Sequence, residues 1–203
     1  MFAKLFKTQK QLSNTILLVS GLPRSGTSMM MKMLEAGGMP PLTDNIRTAD
    51  ADNPKGYYEF ERAKKLREGD QEWLKDVGSR AVKIISALLE YLPSDYRYKV
   101  IFMRRAMPEI LASQKKMLTN RGEDPNKVDD AEMARVFENH LEKVARWLAA
   151  QPNFEVLYVQ YNDLLADPET QIGRIVSFLG NGLDTWKMAE VIDPQLYRHR
   201  KKN

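Results

Sequence analysis

The segment Gly21-Leu22-Pro23-Arg24-Ser25-Gly26-Thr27-Ser28 sets two glycines five positions apart, with an Arg and a Ser between them and two hydroxyls after them. Glycines let a backbone curl with its N–H groups inward, and a helix opening behind the turn adds partial positive charge, so the whole holds an anion. A nucleoside triphosphate site of this spacing carries Lys after the second glycine to reach the terminal phosphates. Here Thr27 stands there and the cation moves forward to Arg24, whose fork of donors suits a phosphate or sulfate close to the loop. The competing reading is a tight strand-to-helix turn with a surface Arg. The apolar run before the turn and the helical pattern after it favour the anion site.

A second cationic point follows Lys99-Val100-Ile101-Phe102-Met103, where Arg104 and Arg105 stand and Ser113 comes eight residues after Arg105. An Arg leaving a buried strand and a hydroxyl on the next helix converge beyond a sheet's carboxyl edge, as a second phosphate site requires. A triphosphatase holds Mg²⁺ there with an Asp. Asp163 lies beyond the apolar run that precedes Tyr161, so no metal is expected.

These residues need a scaffold that delivers them to one edge. Thr15 to Ser20 reads as a strand closed by Gly21, and Thr27 to Ala36 as a helix ending at Gly37 and Gly38. Residues 38–58 are rich in Pro, Asp, Asn and Gly and read as a long surface loop with a substrate-binding task. Helical pattern is expected from Glu61 to Lys75, strands at Ala81–Ile85, Lys99–Met103 and Phe154–Val159, and helices after Pro108, over Ala131–Ala150 and over Pro168–Leu179. Strands separated by helices predict an α/β fold, three-layer α/β/α, with a central parallel sheet of four or five strands. Met29, Met30, Met31 and Met33 read as core filling, and Trp73, Trp147 and Trp186 as packing residues.

The 203 residues carry 31 Lys plus Arg against 27 Asp plus Glu and no Cys, which excludes disulfides, thiolate metal sites and a cysteine nucleophile. Seven cations sit at the ends (Lys4, Lys7, Lys10, Arg198, Arg200, Lys201, Lys202), leaving 24 basic against 27 acidic residues over 11–197. The positive total therefore reports two basic tails, 1–14 and 198–203, and no nucleic-acid partner is expected. No apolar run approaches the ~20 residues of a membrane span, and no signal-peptide core opens the chain. One domain over 1–203 in the cytoplasm is the simplest expectation.

Three stretches resemble the sulfotransferases that use 3′-phosphoadenosine 5′-phosphosulfate (PAPS). LLVSGLPRSGTS is similar to their 5′-phosphosulfate loop, in the Arg-containing form of carbohydrate and many bacterial members; VIFMRRAMPEILAS is similar to their 3′-phosphate element; and Tyr161 to Gly180 is similar to a late structural signature. The resemblance implies that Arg24, Ser25, Gly26, Thr27 and Ser28 bind the phosphosulfate and that Arg105 and Ser113 bind the 3′-phosphate. It implies that Lys83 contacts the oxygen between phosphate and sulfate, the alternative being a strand-edge Lys whose ammonium reaches water. In the cytosolic members a His two positions beyond that Lys serves as base, and other branches use a carboxylate; here Ile85 stands at the His position. Glu59, after the long loop, is the candidate base, its alternative being a solvated Glu before a helix. The basic tail replaces a family loop with Arg198 and Arg200, which either contact the 3′-phosphate or are solvated.

The expected activity is in-line sulfuryl transfer, without metal, from PAPS to a hydroxyl or amine of a small-molecule, carbohydrate or peptide acceptor. A small P-loop kinase and a nucleotide-binding protein without catalysis are the competing readings. Thr27 and the missing strand-end Asp weigh against the first, and the missing His is the one hint of the second.

Overall fold

The computed structural model describes residues 15–44, 46, 56–180 and 182–192. Four strands, β1 (Thr15–Gly21), β2 (Ala81–Lys83), β3 (Arg97–Arg104) and β4 (Phe154–Gln160), form one sheet in the order β2-β1-β3-β4. All pairings are parallel. Every carboxyl end therefore opens on the same edge, where the turn after β1 and the arginines after β3 meet.

Alternation along the strands divides the core into two layers. Ile16, Leu18, Tyr98, Val100 and Phe102 face one side, together with Leu148, Leu141 and Val144 of a long helix. Leu17, Val19, Ile101 and Met103 face the other side, together with the Thr27–Ala36 helix and three later ones. The helices are α1 (Thr27–Ala36), α2 (Glu61–Lys64), α3 (Met107–Asn120), α4 (Asp130–Ala149), α5 (Tyr161–Ala166), α6 (Pro168–Leu179) and α7 (Thr185–Glu190). Met30, Met31 and Met33 are fully buried, as the expected core filling. Asp129 accepts from the Ala131 and Glu132 amides to start α4, and Asp167 accepts from the Thr170 amide to start α6, which stops at left-handed Gly180.

Three expectations need correction. The helix expected over 61–75 breaks after Lys64 into 3-10 turns at Leu66–Glu68 and Glu72–Asp76, because Gly69 turns left-handed between them. The strand expected over Ala81–Ile85 ends at Lys83, and Ile85 points outward at 45% exposure. Trp186 is 75% exposed, with its indole N–H donating to Glu190 at 3.1 Å, whereas Trp73 is buried edge-on to Phe60. The loop of residues 38–58 also does more than cross the surface. Its Pro41 bridges Ala81, its Leu42 amide donates to the Ala81 carbonyl at 2.8 Å, and Leu42 and Tyr57 are buried. Its residues 45 and 47–55, both tails and His199 lie outside the described residues.

Phe102 carries the sheet's inner face at 1% exposure, with the Tyr158 ring 5.5 Å away. Phe102→Ala is expected to lower stability by about 3–5 kcal/mol, read as the shift of the urea midpoint at unchanged slope.

Candidate active site

The turn after β1 is shaped by what surrounds it. A Cβ on Gly21 would lie 2.6 Å from both the Met103 carbonyl oxygen and Ser25 Oγ, and a Cβ on Gly26 would lie 2.5 Å from the Tyr161 ring. Both glycines also have positive φ, at 146° and 100°. Between them Ser25 folds back, its hydroxyl donating to the Leu22 carbonyl at 2.7 Å. Arg24 is held left-handed at φ 70°. Gly26 caps α1 without any side-chain hydrogen bond, so the helix's first N–H groups are not taken by a capping side chain, and Thr27 opens the helix.

The element after β3 locks onto this turn. Arg24 Nε donates to Ser113 Oγ at 2.8 Å, and Arg105 Nη1 donates to the Arg24 carbonyl at 3.1 Å. Arg105 also lies over the Tyr161 ring, 4.4 Å from its centroid, and its Nε donates to Glu109 Oε2 at 2.9 Å. Asn162 Nδ2 donates to the other Glu109 oxygen at 2.9 Å. Burial raises the Tyr161 phenol above its ordinary pKa, and nearby Arg105 pulls the other way. Arg104 turns away and stacks over Tyr158 at 4.1 Å. The two adjacent arginines thus go to opposite faces of the sheet, Arg104 to the layer of Tyr158 and Arg105 to that of Tyr161.

On the other side of the turn, Lys83 is 10% exposed and its ammonium does not run out to water. It donates to the Tyr57 carbonyl and, at 3.3 Å, to Ser28 Oγ. Glu59 Oε1 is 3.9 Å from it, and Glu59 Oε2 pairs with Lys64 at 2.7 Å. Burial disfavours the Lys64 ammonium, but its bonds to Glu59 and Glu61 outweigh that and raise its pKa. The Glu59 carbonyl accepts from Thr43 at 2.9 Å, fixing the segment after the loop against its start.

The structure therefore brings Arg24, Ser25, Gly26, Thr27 and Ser28 together with Arg105 and Ser113 on one side, and with Lys83 and Glu59 on the other. Glu109, Asn162 and Tyr57 are members of the cluster that the sequence reading did not name. The i, i+4 spacing of Arg105 and Glu109 carried a signal for one of them. A backbone carbonyl such as that of Tyr57 carries none. His140 stays with packing: its Nε2 lies 2.8 Å from Ser86 Oγ, joining α4 to the turn after β2, and burial lowers its pKa.

A parallel sheet whose carboxyl edge presents a glycine cradle and two inward cations is the frame of an enzyme that handles a phosphorylated nucleotide-like anion. The sulfotransferase domain family matches residues 14–203, and the chain belongs to that family. It is a sulfotransferase, an enzyme that moves a sulfuryl group. No curated protein sequence matches the chain. Among solved structures, the sulfotransferase domain of the Synechococcus PCC 7002 olefin synthase is similar at 17% identity and a TM-score of 0.52, over 93% of this chain and 84% of that one. Mouse sulfotransferase SULT7A1, complexed with PAP, is similar at 18% identity and a TM-score of 0.56, over 94% and 68%. Sulfotransferase STF1 from Mycobacterium tuberculosis H37Rv is similar at 14% and 0.52, over 96% and 74%. These three share the fold. Among the described residues no helix is long and apolar enough to cross a membrane.

Two consequences can be measured. Gly26→Ala is expected to lower stability by about 1–3 kcal/mol through strain alone, and more where the Tyr161 ring cannot give way; urea unfolding reads it. His140 takes up a proton less readily folded than unfolded, so its contribution is present above its ordinary pKa of 6.5 and is lost as pH falls below it. His140→Gln is expected to flatten the fall of the melting temperature between pH 6.5 and more acidic buffers.

Proposed function

We propose that the chain transfers the sulfuryl group of PAPS to a hydroxyl or amine, with the 5′-phosphosulfate in the Gly21–Ser28 cradle and the 3′-phosphate at Arg105 and Ser113. The observation that carries this is the direct contact between the two elements: Arg24 bonds Ser113, and Arg105 bonds the Arg24 carbonyl. Two anion-binding parts that touch suit one ligand with charge at both its 5′ and 3′ positions, and SULT7A1, which shares the fold, is complexed with PAP. The family match over 14–203 supports reading the chain as a single sulfotransferase unit.

The acceptor oxygen or nitrogen attacks sulfur in line as the bond from sulfur to the phosphate oxygen breaks, and charge builds on the leaving phosphate. Arg24, Lys83 and the amides of Ser25 to Ser28 neutralise that charge, with the Thr27 and Ser28 hydroxyls assisting. Glu59 takes the acceptor's proton, a role supported by its 3.9 Å approach to Lys83, which puts a carboxylate beside the leaving-group cation. The acceptor is a small molecule, carbohydrate or peptide bearing that group. No observation favours the kinase reading, since Thr27 occupies the position of the triphosphate Lys.

Thermal shifts test the donor. Adenosine 3′,5′-bisphosphate is expected to raise the melting temperature and ATP with Mg²⁺ is not, by mass action on the native state. A response to ATP–Mg²⁺ alone would overturn the proposal. Once an acceptor is found by screening with labelled PAPS, Glu59→Gln is expected to lower kcat by about 10²–10⁴-fold while bisphosphate affinity stays. A binding protein without catalysis would show the shift and no turnover with any acceptor.

A further inference from the structure

Among the described residues, Glu109 is the only charged one in the buried interior, at 7% exposure. A carboxylate so placed is costly unless each oxygen is satisfied. Arg105 takes Oε2 and Asn162 takes Oε1, both at 2.9 Å. An apolar residue at this helix position would fill the space without that cost, so the carboxylate has a task beyond filling.

The task shows in the guanidinium it holds. Arg105 is planar and carries five N–H donors in a fixed fork. Its Nε is fixed by Glu109, its Nη1 by the Arg24 carbonyl, and one of its faces is covered by Tyr161. Two edge bonds and a covered face leave the plane no freedom to turn. Among the described residues Nη2 donates to nothing, so the fork is oriented with one edge open. An arginine held only by its flexible stem would first have to lose its rotamer freedom on meeting an anion.

We infer that Glu109 is the positioning residue of the 3′-phosphate site. It aims the open edge of Arg105 at the phosphate and, through the Arg24 carbonyl, keeps that edge in register with the cradle. This rests on the proposed reading of Arg105 as a 3′-phosphate ligand. Glu109 touches neither donor nor acceptor; it acts through Arg105, and so it sets the preference for donors phosphorylated at the 3′ position. It does not set the affinity for the 5′ end, which the cradle amides supply.

The test is calorimetric titration of the full chain with adenosine 3′,5′-bisphosphate and with adenosine 5′-monophosphate. Wild type is expected to prefer the bisphosphate; no preference would overturn the underlying reading of Arg105 before any variant is compared. Glu109→Gln puts an amide N–H₂ against one of two donors and removes the charge. It is expected to weaken the bisphosphate by about tenfold or more while the monophosphate changes by less than about twofold. Equal loss on both ligands would reduce Glu109 to a structural part and overturn the inference. So would unchanged affinity, or a gain for the bisphosphate, which would make the carboxylate a mere neutraliser of Arg105. Glu109→Asp is expected to recover part of the preference. Should Glu109→Gln not fold, Asn162→Ala loosens the same carboxylate from behind and is expected to show the same ligand-selective loss, at about threefold.

Discussion

The site depends on how closely the turn after β1 approaches the ends of its neighbouring strands. At Gly21 the backbone runs against the Met103 carbonyl, and at Gly26 it runs against the Tyr161 ring, each at a distance that no Cβ could occupy. That approach is what puts the Arg24 carbonyl within reach of Arg105 and the Arg24 side chain within reach of Ser113. A side chain at Gly21 would push the turn off the end of β3 and one at Gly26 would push it off the Tyr161 ring, and the contacts of Arg24 with Arg105 and Ser113 would suffer even if each element kept its own shape. Arg24 holds a left-handed conformation that non-glycine residues avoid, and the bonds at both of its ends repay that strain.

Charge is arranged around this contact with equal economy. Three cations, Arg24, Arg105 and Lys83, converge on one edge, where their mutual repulsion would oppose folding without counterions. Glu109 answers Arg105, and Glu59 stands by Lys83 and Lys64. The two carboxylates differ in consequence. Glu109 is locked by two donors and buried, so it holds its partner still. Glu59 stands between two ammonium groups, Lys83 and Lys64, on a segment that follows the long loop.

Much of this was legible in the residues. The spacing of Gly21 and Gly26 after a β-branched run and the step from Arg105 to Ser113 pointed to the glycine turn and to the second element that meets it, because each rests on local backbone geometry. The α/β order followed from the alternation of strand and helix patterns, and α6 ran from Pro168 to Leu179 as its cap and glycine stop required. The break at Gly69 was missed because one glycine in a helical pattern is often tolerated, and here tertiary packing used it as a turn. Trp186 was misread because an aromatic residue carries no sign of which helix face is covered. Tyr57 and Asn162 were out of reach for another reason: their roles come from contacts with residues 26 and 53 positions away, and no local pattern encodes those pairings.

The Tyr57 carbonyl ties the two halves of the site together. It accepts from Lys83 and from Ser28, two groups that the proposed reading places at the leaving phosphate. Tyr58, next along, sits at a positive φ of 53°, and its phenol donates to Glu35 on α1 at 2.5 Å. Burial, followed by that bond, holds the phenol well above its ordinary pKa. The segment is thus strained at Tyr58 and anchored there to α1 by the side chain, and one residue earlier to β2 by the Tyr57 carbonyl. A phosphate oxygen is a stronger acceptor for an ammonium than a neutral carbonyl is. An anion entering the cradle therefore competes directly for Lys83, and the carbonyl it displaces belongs to the strand of chain that carries Glu59. In the proposed reading, the donor cradle and Glu59 are in this way joined through one shared lysine, over two residues of backbone.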